Sequence, residues 1–392
     1  MRILMVMDDP FPPDLRVERE ALALIGAGHD VSIVTFRSDR KEQTVSDHKG
    51  IEVITLPLGR FWFKMSALAY TLPLYHWHLA RRLSHLLEDR RFDVLHIHDL
   101  RVARAALSAR PDGCRVVLDL HENRPEIMRF YKHVRSWKGR LTIFPKLWAR
   151  FERRYIWASD ATIVVTREAE AWYRQRGIAP RGEFWIVPNY AGRDFNLDPQ
   201  PRSAPTGPVR MLYIGDTGER RGLGIALQAM RDMGPDAEVE LDVLGDGTYQ
   251  GEIERMVWDW GLEGRVRLHG WVDPSTFDAH LSMADVGICP IQRNPHHDTT
   301  YANKIFQYMA YGLPILVSDC PSQVAVVEAH GCGAVHVADS SEDFTAALER
   351  IVSDAGKYEA MSRAGVEATR QERNWEVVAE QLVAQYASLA SA

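Results

Sequence analysis

The chain has 392 residues, 46% apolar and 26% charged, and a formal net charge of −6. That balance excludes collagen-like, mucin-like and disordered chains, because a chain this apolar buries a core that offsets its ordering entropy. At roughly 150 residues per domain the length predicts two domains or three. Cys114, Cys289, Cys320 and Cys332 form no C-x-x-C pair, so neither a disulfide framework nor a zinc knuckle is legible, and a reducing compartment is expected.

The chain opens with about five apolar residues before Asp8 and Asp9, too short a run for a secretory signal core. No stretch nears the ~20 apolar residues that span a bilayer. Short β-rich apolar runs then alternate with helical periodicity, the pattern of helices layered on a parallel sheet. Residues 3–7 read as a buried strand, 16–27 as a helix closed by Gly28, and 30–36 as the next strand. Further strands fall at 53–56, 93–98, 116–120, 161–165 and 184–187. Residues 196–208 carry four prolines and no periodicity, which reads as a linker. The pattern restarts with strands at 210–214, 238–244, 266–269, 286–290 and 315–318. Helices are expected at 223–233, 250–260, 274–283, 303–311, 341–354 and 375–389.

This predicts an α/β chain of two doubly wound Rossmann-like domains facing a cleft. The first spans 1–195, the linker 196–208 and the second domain 209–372, with residues 373–392 a helix crossing back to the first domain. In such sheets ligands bind beyond the carboxyl ends of the strands. Charge is unevenly spread: residues 60–155 hold about 20 Lys/Arg against about nine Asp/Glu, interleaved with aromatics such as Phe61, Trp62, Phe63, Tyr75 and Trp77. Such a surface suits peripheral contact with an anionic membrane; the acidic chain as a whole argues against nucleic acid.

The stretch with most chemical content is Asp285-Val-Gly-Ile-Cys-Pro-Ile-Gln292 followed by Tyr301-Ala-Asn-Lys-Ile-Phe-Gln-Tyr-Met-Ala-Tyr-Gly-Leu-Pro314. A strand ends, a polar loop follows, and a helix opens near Asn303 with free N–H groups suited to an anion. Lys304 in the first turn opposes the helix dipole, which makes sense if an anion docks there; Gln307 lies on the same face. A second glycine-rich turn, Tyr213-Ile-Gly-Asp-Thr-Gly-Glu-Arg-Arg-Gly222, offers close backbone approach at Gly215 and charge-assisted bonds from Arg220 or Arg221. The turn at Gly245 reads as a plain strand-to-helix turn near the dinucleotide spacing, and Trp271 as either core or a base contact. His96 and His98 share one face of a strand, with His98 nearer its carboxyl end. Metal binding by His96, His98, His121 and the His296-His297-Asp298 run is an open alternative.

These motifs resemble the donor-binding signature of retaining GT-B glycosyltransferases of the family 4-like group. The variant Pro-Asn-Lys-x-Phe-Glu-Tyr-Met-Ala-x-Gly-x-Pro is close to residues 302–314 here. The resemblance runs through Pro12-Pro-Asp-Leu-Arg-Val-Glu-Arg-Glu-Ala21, Leu95-His-Ile-His-Asp-Leu100, Asp119-Leu-His-Glu122 and Val187-Pro-Asn189. It departs where the family has an acid (Thr299), a second acid (Gln307) and a phosphate-binding Arg (Asp216). What it implies is transfer of a sugar, with retention, from a nucleotide-sugar donor to a glycan or lipid-linked acceptor in cell-surface polysaccharide assembly. His98, Arg221 and Lys304 would be catalytic, and Gly215, Arg220, Gly245, Trp271, Asn303 and Gln307 donor-binding. Arg16, Asp99, His121 and Glu122 would stand on the acceptor side. No metal or other cofactor is expected, and the expected location is cytoplasmic, at the membrane's inner face. The alternatives are a non-catalytic glycan- or nucleotide-sugar-binding subunit on the same scaffold, or a nucleotide-sugar epimerase.

Overall fold

The computed structural model describes residues 1–39, 42–72, 74–131, 134 and 136–391. They pack as two compact units, Met1–Pro188 with Val378–Ala392, and Asn189–Val377.

The first unit is built on a sheet ordered β3-β4-β2-β1-β5-β6-β7-β8. Its strands are β1 Arg2–Val6, β2 Asp30–Arg37, β3 Thr44–His48, β4 Ile51–Pro57, β5 Val94–His98, β6 Arg115–Leu120, β7 Ala161–Val164 and β8 Glu183–Ile186. All pairings are parallel except β3 with β4. Central strands of a parallel sheet are covered on both faces and read as continuous apolar runs; Ile3, Leu4, Met5 and Val6 are accordingly all buried. The helix Leu15–Gly26 starts where the Asp14 side chain accepts from the Val17 N–H at 3.1 Å, satisfying an orphan donor of the first turn. Gly28, at φ +83°, turns the chain into β2. The β3 strand was not expected from the sequence: four of its five residues are exposed and it caps the sheet edge as the one antiparallel member, so it carries no buried face to read.

The second unit has a sheet ordered β11-β10-β9-β12-β13-β14, parallel throughout. Its strands are β9 Val209–Ile214, β10 Val239–Leu244, β11 Val266–Gly270, β12 Val286–Cys289, β13 Ile315–Ser318 and β14 Gly333–His336. The helices Leu223–Asp232, Gln250–Asp259 and Ser341–Val352 bury Leu227, Ile253 and Phe344 against it.

Two boundaries differ from the sequence reading. The first unit ends at Pro188 rather than 195, and residues 196–208 belong to the second unit instead of standing apart as a linker. The physical reason is Arg202. Its guanidinium donates to the carbonyls of Tyr311 (2.7 Å), Leu281 (2.7 Å) and Ala284 (2.6 Å), and its N–H donates to Ser362 Oγ at 2.7 Å. With a further bond to the Ser282 carbonyl at 3.0 Å, five hydrogen bonds from this one residue pin a proline-rich strap to its own unit. The last helix, Trp375–Ser391, has its residues from Val378 onward in the first unit.

Candidate active site

In the second sheet the strand order reverses between β9 and β12, the switch point at which open α/β sheets bind ligands. The helix Lys304–Ala310 is fixed there by Tyr308. Its ring lies against Gly287, where an added Cβ would come within 2.2 Å, and its hydroxyl accepts from the Ile214 N–H at 2.9 Å. That anchoring places Lys304 over the loop after β9. Its Nζ is buried without a hydrogen-bond partner and lies 3.4 Å from the centroid of the Tyr213 ring. Gly215 has φ +127°, and a Cβ there would be in van der Waals contact with Nζ; that backbone conformation is what calls for a glycine. Burial pulls the Lys304 pKa down to about 7; Arg221 acts in the same direction, while Cys289 and Asp216 oppose it.

Arg220 and Arg221 stand in the short turn Glu219–Arg221 that follows. Arg221 Nε donates to Asp216 Oδ2 at 3.2 Å, so this acid holds the neighbouring cation. Arg220 Nη1 lies 3.1 Å from His297 Nε2, and His297 Nδ1 lies 2.7 Å from the Gln292 carbonyl. Burial lowers His297 to about 4. The neutral ring therefore donates from Nδ1 to Gln292 and accepts from Arg220 at Nε2. The two loops interlock further. The Gln292 N–H donates to the Arg220 carbonyl at 3.0 Å, and a Cβ on Gly222 would meet the Pro290 oxygen at 1.8 Å.

The other expected donor-side residues divide. Gln307 lies partly buried on the same short helix as Lys304. That helix begins at Lys304 with Asn303 as an exposed cap residue making no side-chain capping bond, and it runs only seven residues, shorter than the 303–311 expected. Gly245 serves packing: an added Cβ would lie 2.0 Å from the Gly215 carbonyl oxygen, so the ends of β9 and β10 demand it. Trp271 is 74% exposed, which removes the core reading. Thr299 is buried and donates to the Pro295 carbonyl at 2.7 Å.

In the first unit the ends of β5 and β6 carry a buried polar cluster. Arg16 donates to both Asp119 oxygens, 3.0 Å from Nη2 and 3.3 Å from Nε, and its Nη1 donates to the Val187 carbonyl at 2.9 Å. Its Nε also lies 3.1 Å from Glu20 Oε1. Asp119 Oδ2 is 3.2 Å from His98 Nδ1 and 3.0 Å from His121 Nε2. Burial opposes the Asp119 charge, but Arg16 and then His121 outweigh it and hold its pKa well below the carboxylate range. Burial likewise opposes charge on His121, and Asp119 reverses the balance upward; burial lowers His98 and leaves its Nε2 without a partner. A neutral His98 that donates from Nδ1 to Asp119 keeps an unprotonated Nε2. Asp99 caps the helix Leu100–Ala109 and pairs with Arg124, which also pairs with Glu122 at 3.2 Å. Those two acids are thereby tied to one guanidinium.

Glu20, His96, His98 and Asp119 offer donor atoms within 4.8 Å of one another, an arrangement with metal-ligand chemistry. The position between the carboxylates is already served by the Arg16 guanidinium. Burial lifts Glu20 to about 8, with Arg16 opposing, so at neutral pH it is protonated.

Residues 14–190 match the family model described as glycosyl transferase 4-like domain, and residues 208–354 match that of glycosyl transferases group 1. The chain belongs to this glycosyltransferase family. The lipopolysaccharide core biosynthesis glycosyltransferase LpsE of Rhizobium meliloti is 25% identical over 174 residues, 44% of this chain and 48% of that protein; the match spans about half of that relative. Sucrose-phosphate synthase from Thermosynechococcus elongatus superposes with a TM-score of 0.79 at 18% identity, over 100% of this chain and 99% of that one. Anabaena HepE, solved in complex with UDP and glucose, gives 0.70 at 14% identity, over 99% and 100%. The glycosyltransferase thus has the GT-B architecture of two Rossmann-like domains.

Four residues of this glycosyltransferase's polar clusters escaped the sequence-level site: Asp119, Glu20, His96 and His297. Asp119 was visible only as part of an Asp-x-His-Glu string, and His297 only as one member of a histidine run. Nothing local marks Glu20, whose carboxylate Oε2 lies 3.6 Å from His96 Nε2, 76 positions along the chain.

Proposed function

We propose that the protein moves a sugar from a nucleotide-sugar donor to a glycan or lipid-linked acceptor, with retention, in cell-surface polysaccharide assembly. The observation that carries this reading is the Lys304 amine, buried and without a hydrogen-bond partner at the β9–β12 switch point. Burial without a counter-ion disfavours the ammonium form there, and a bound diphosphate restores it. Lys304, Arg221 and Arg220 bind the diphosphate and stabilise it as it departs, and Gln307 accepts from the donor ribose. Asp119 fixes His98 so that its Nε2 accepts a hydrogen bond from a sugar hydroxyl beside the reacting centre; Arg16 and His121 hold Asp119 ionised. The UDP in the HepE structure supports the donor class, and the LpsE relative supports the acceptor class.

The reaction needs no metal in this reading, because Arg16 and Lys304 supply the positive charge at their respective sites. The protein works at the inner face of a membrane, attached peripherally through its basic, aromatic region; no helix among the described residues is long and apolar enough to cross a bilayer. The Asp216–Arg221 pair, which subtracts one free cation, favours as second reading a binding subunit of the same scaffold. Incubation with a panel of nucleotide sugars separates these. Release of nucleotide, undiminished by a chelator, supports the transferase; an epimerised sugar supports an epimerase; binding with no turnover in the presence of glycan and lipid-linked acceptors supports the subunit. The product's anomeric proton coupling reads retention directly.

A further inference from the structure

We propose that the groove between the helices Leu74–Asp89 and Leu100–Ala109 binds the phosphate of an anionic phospholipid at a bilayer surface. The inference rests on the peripheral-membrane reading and adds a specific site to it. The groove has a volume of about 530 Å³ and is lined by Leu74, His76, Trp77, Ala80, Arg104 and Ser108.

His76 is 2% exposed, and both its ring nitrogens lack a hydrogen-bond partner. Buried polar groups in native proteins are satisfied by protein, water or ligand, so an imidazole that lines a groove, packed against Tyr70 and Tyr75 with neither nitrogen hydrogen-bonded, marks a place where something docks. Burial, reinforced by Arg104, lowers its pKa to about 3, so the ring is neutral and carries one N–H to donate. Arg104 supplies the charge: its guanidinium rests 5.6 Å from the centre of the Phe151 ring and makes no ion pair with a carboxylate among the described residues. None of the lining residues is acidic. An imidazole N–H beside an unpaired guanidinium is a phosphate-binding pair.

The rim identifies the source of that phosphate. Leu74 and Trp77 are 53% and 62% exposed on the first turn of their helix. Trp62 stacks on His78 with ring centroids 4.3 Å apart, which brings the helix Arg60–Met65 against the same element. That helix carries exposed Phe61 and Phe63 beside Arg60 and Lys64. A free anion has no use for four exposed apolar side chains around its site. A lipid does: the rings and Leu74 sit among headgroups and upper acyl chains while the basic residues meet the anionic surface.

The test is sedimentation of the full-length protein with vesicles of phosphatidylcholine alone or mixed with phosphatidylglycerol. Three variants are compared: Arg104→Gln, His76→Phe and Arg81→Ala, the last removing an equal charge from an exposed position on the helix Leu74–Asp89, which carries His76. The expected result is binding to the mixed vesicles only. Arg104→Gln should weaken it at least about tenfold, and Arg81→Ala by no more than about fivefold, the factor for one generic surface charge. Equal losses for Arg104→Gln and Arg81→Ala overturn the groove while leaving the peripheral reading in place. Failure of the wild type to bind, or equal binding to neutral vesicles, overturns both. Arg104→Gln decides the matter even if His76→Phe does not fold, because Arg104 is only partly buried.

Discussion

Raising the pH from about 7 to about 9 should weaken nucleoside-diphosphate binding by about tenfold per unit, because each unit of pKa difference is worth about 1.4 kcal/mol. The cause is Lys304, whose pKa burial holds at about 7 in the free protein. A diphosphate at the loop after β9 favours the ammonium form, so the bound protein keeps the charge that the free protein has lost. Above about pH 7, binding takes up a proton and affinity falls as pH rises; below it, the amine is already charged and affinity levels off. The surrounding groups do not mask this slope. Burial pushes the Cys289 thiol up, so it stays neutral, and His297, lowered to about 4, is neutral throughout. The ligand's last phosphate ionisation, near pH 6, is complete. Titration calorimetry with UDP, ADP and GDP in two buffers of different ionisation enthalpy measures the proton count and the affinity together. Lys304→Arg should flatten the pH dependence, since a guanidinium stays charged. Lys304→Met should bind at least about tenfold more weakly at pH 7, the scale of one charge-assisted bond. The reasoning fails if wild-type affinity is constant from about pH 7 to about 9 without proton uptake, or if Lys304→Met keeps the slope.

Arg221→Ala should reduce nucleotide affinity about tenfold, whereas Asp216→Asn should increase it by freeing Arg221 from its 3.2 Å partner; a loss in the second variant would mean that Asp216 orients the guanidinium rather than neutralises it. His98→Ala should lower kcat at least about tenfold while nucleotide affinity, measured by calorimetry, stays within about twofold; parallel losses would make His98 a donor ligand. Glu20, raised to about 8 by burial, binds a proton in the folded chain that the unfolded carboxyl releases near pH 4.3, so this contribution to stability is present at low pH and lost as pH rises through about 8. Glu20→Gln should therefore melt at an increasingly higher temperature than the wild type between about pH 5 and pH 8.5, and a constant difference would rule out the buried protonated acid.

The repeating strand–helix order, the chain restart near residue 209 and the placing of Lys304 and Gln307 on one short helix were all legible in the sequence. They depend on local information: apolar runs long enough to cross a sheet, glycines where φ is positive, and motif spacing within one turn of helix. Short elements with little apolar sequence to read were not legible. β3 is a polar edge, and β14 is four residues that include Gly333 and Cys332 as its neighbour; only pairing with β4 and β13 makes them strands.

Tertiary structure alone decided which charges are neutralised and by whom. Arg202 reads as a solvated residue in a proline-rich stretch until its carbonyl partners from residues 281, 284 and 311 close around it. Asp99 and Glu122, expected on the acceptor side, share Arg124. His98 gains its role from Asp119, 21 positions away, and His96 gains its partner Tyr386 from 290 positions away, at 2.8 Å. Hydrogen bonds and ion pairs act over about 3 Å, and burial sets their strength. A sequence shows which groups are available; the distances and the exclusion of water that determine their protonation arise only when the sheets assemble.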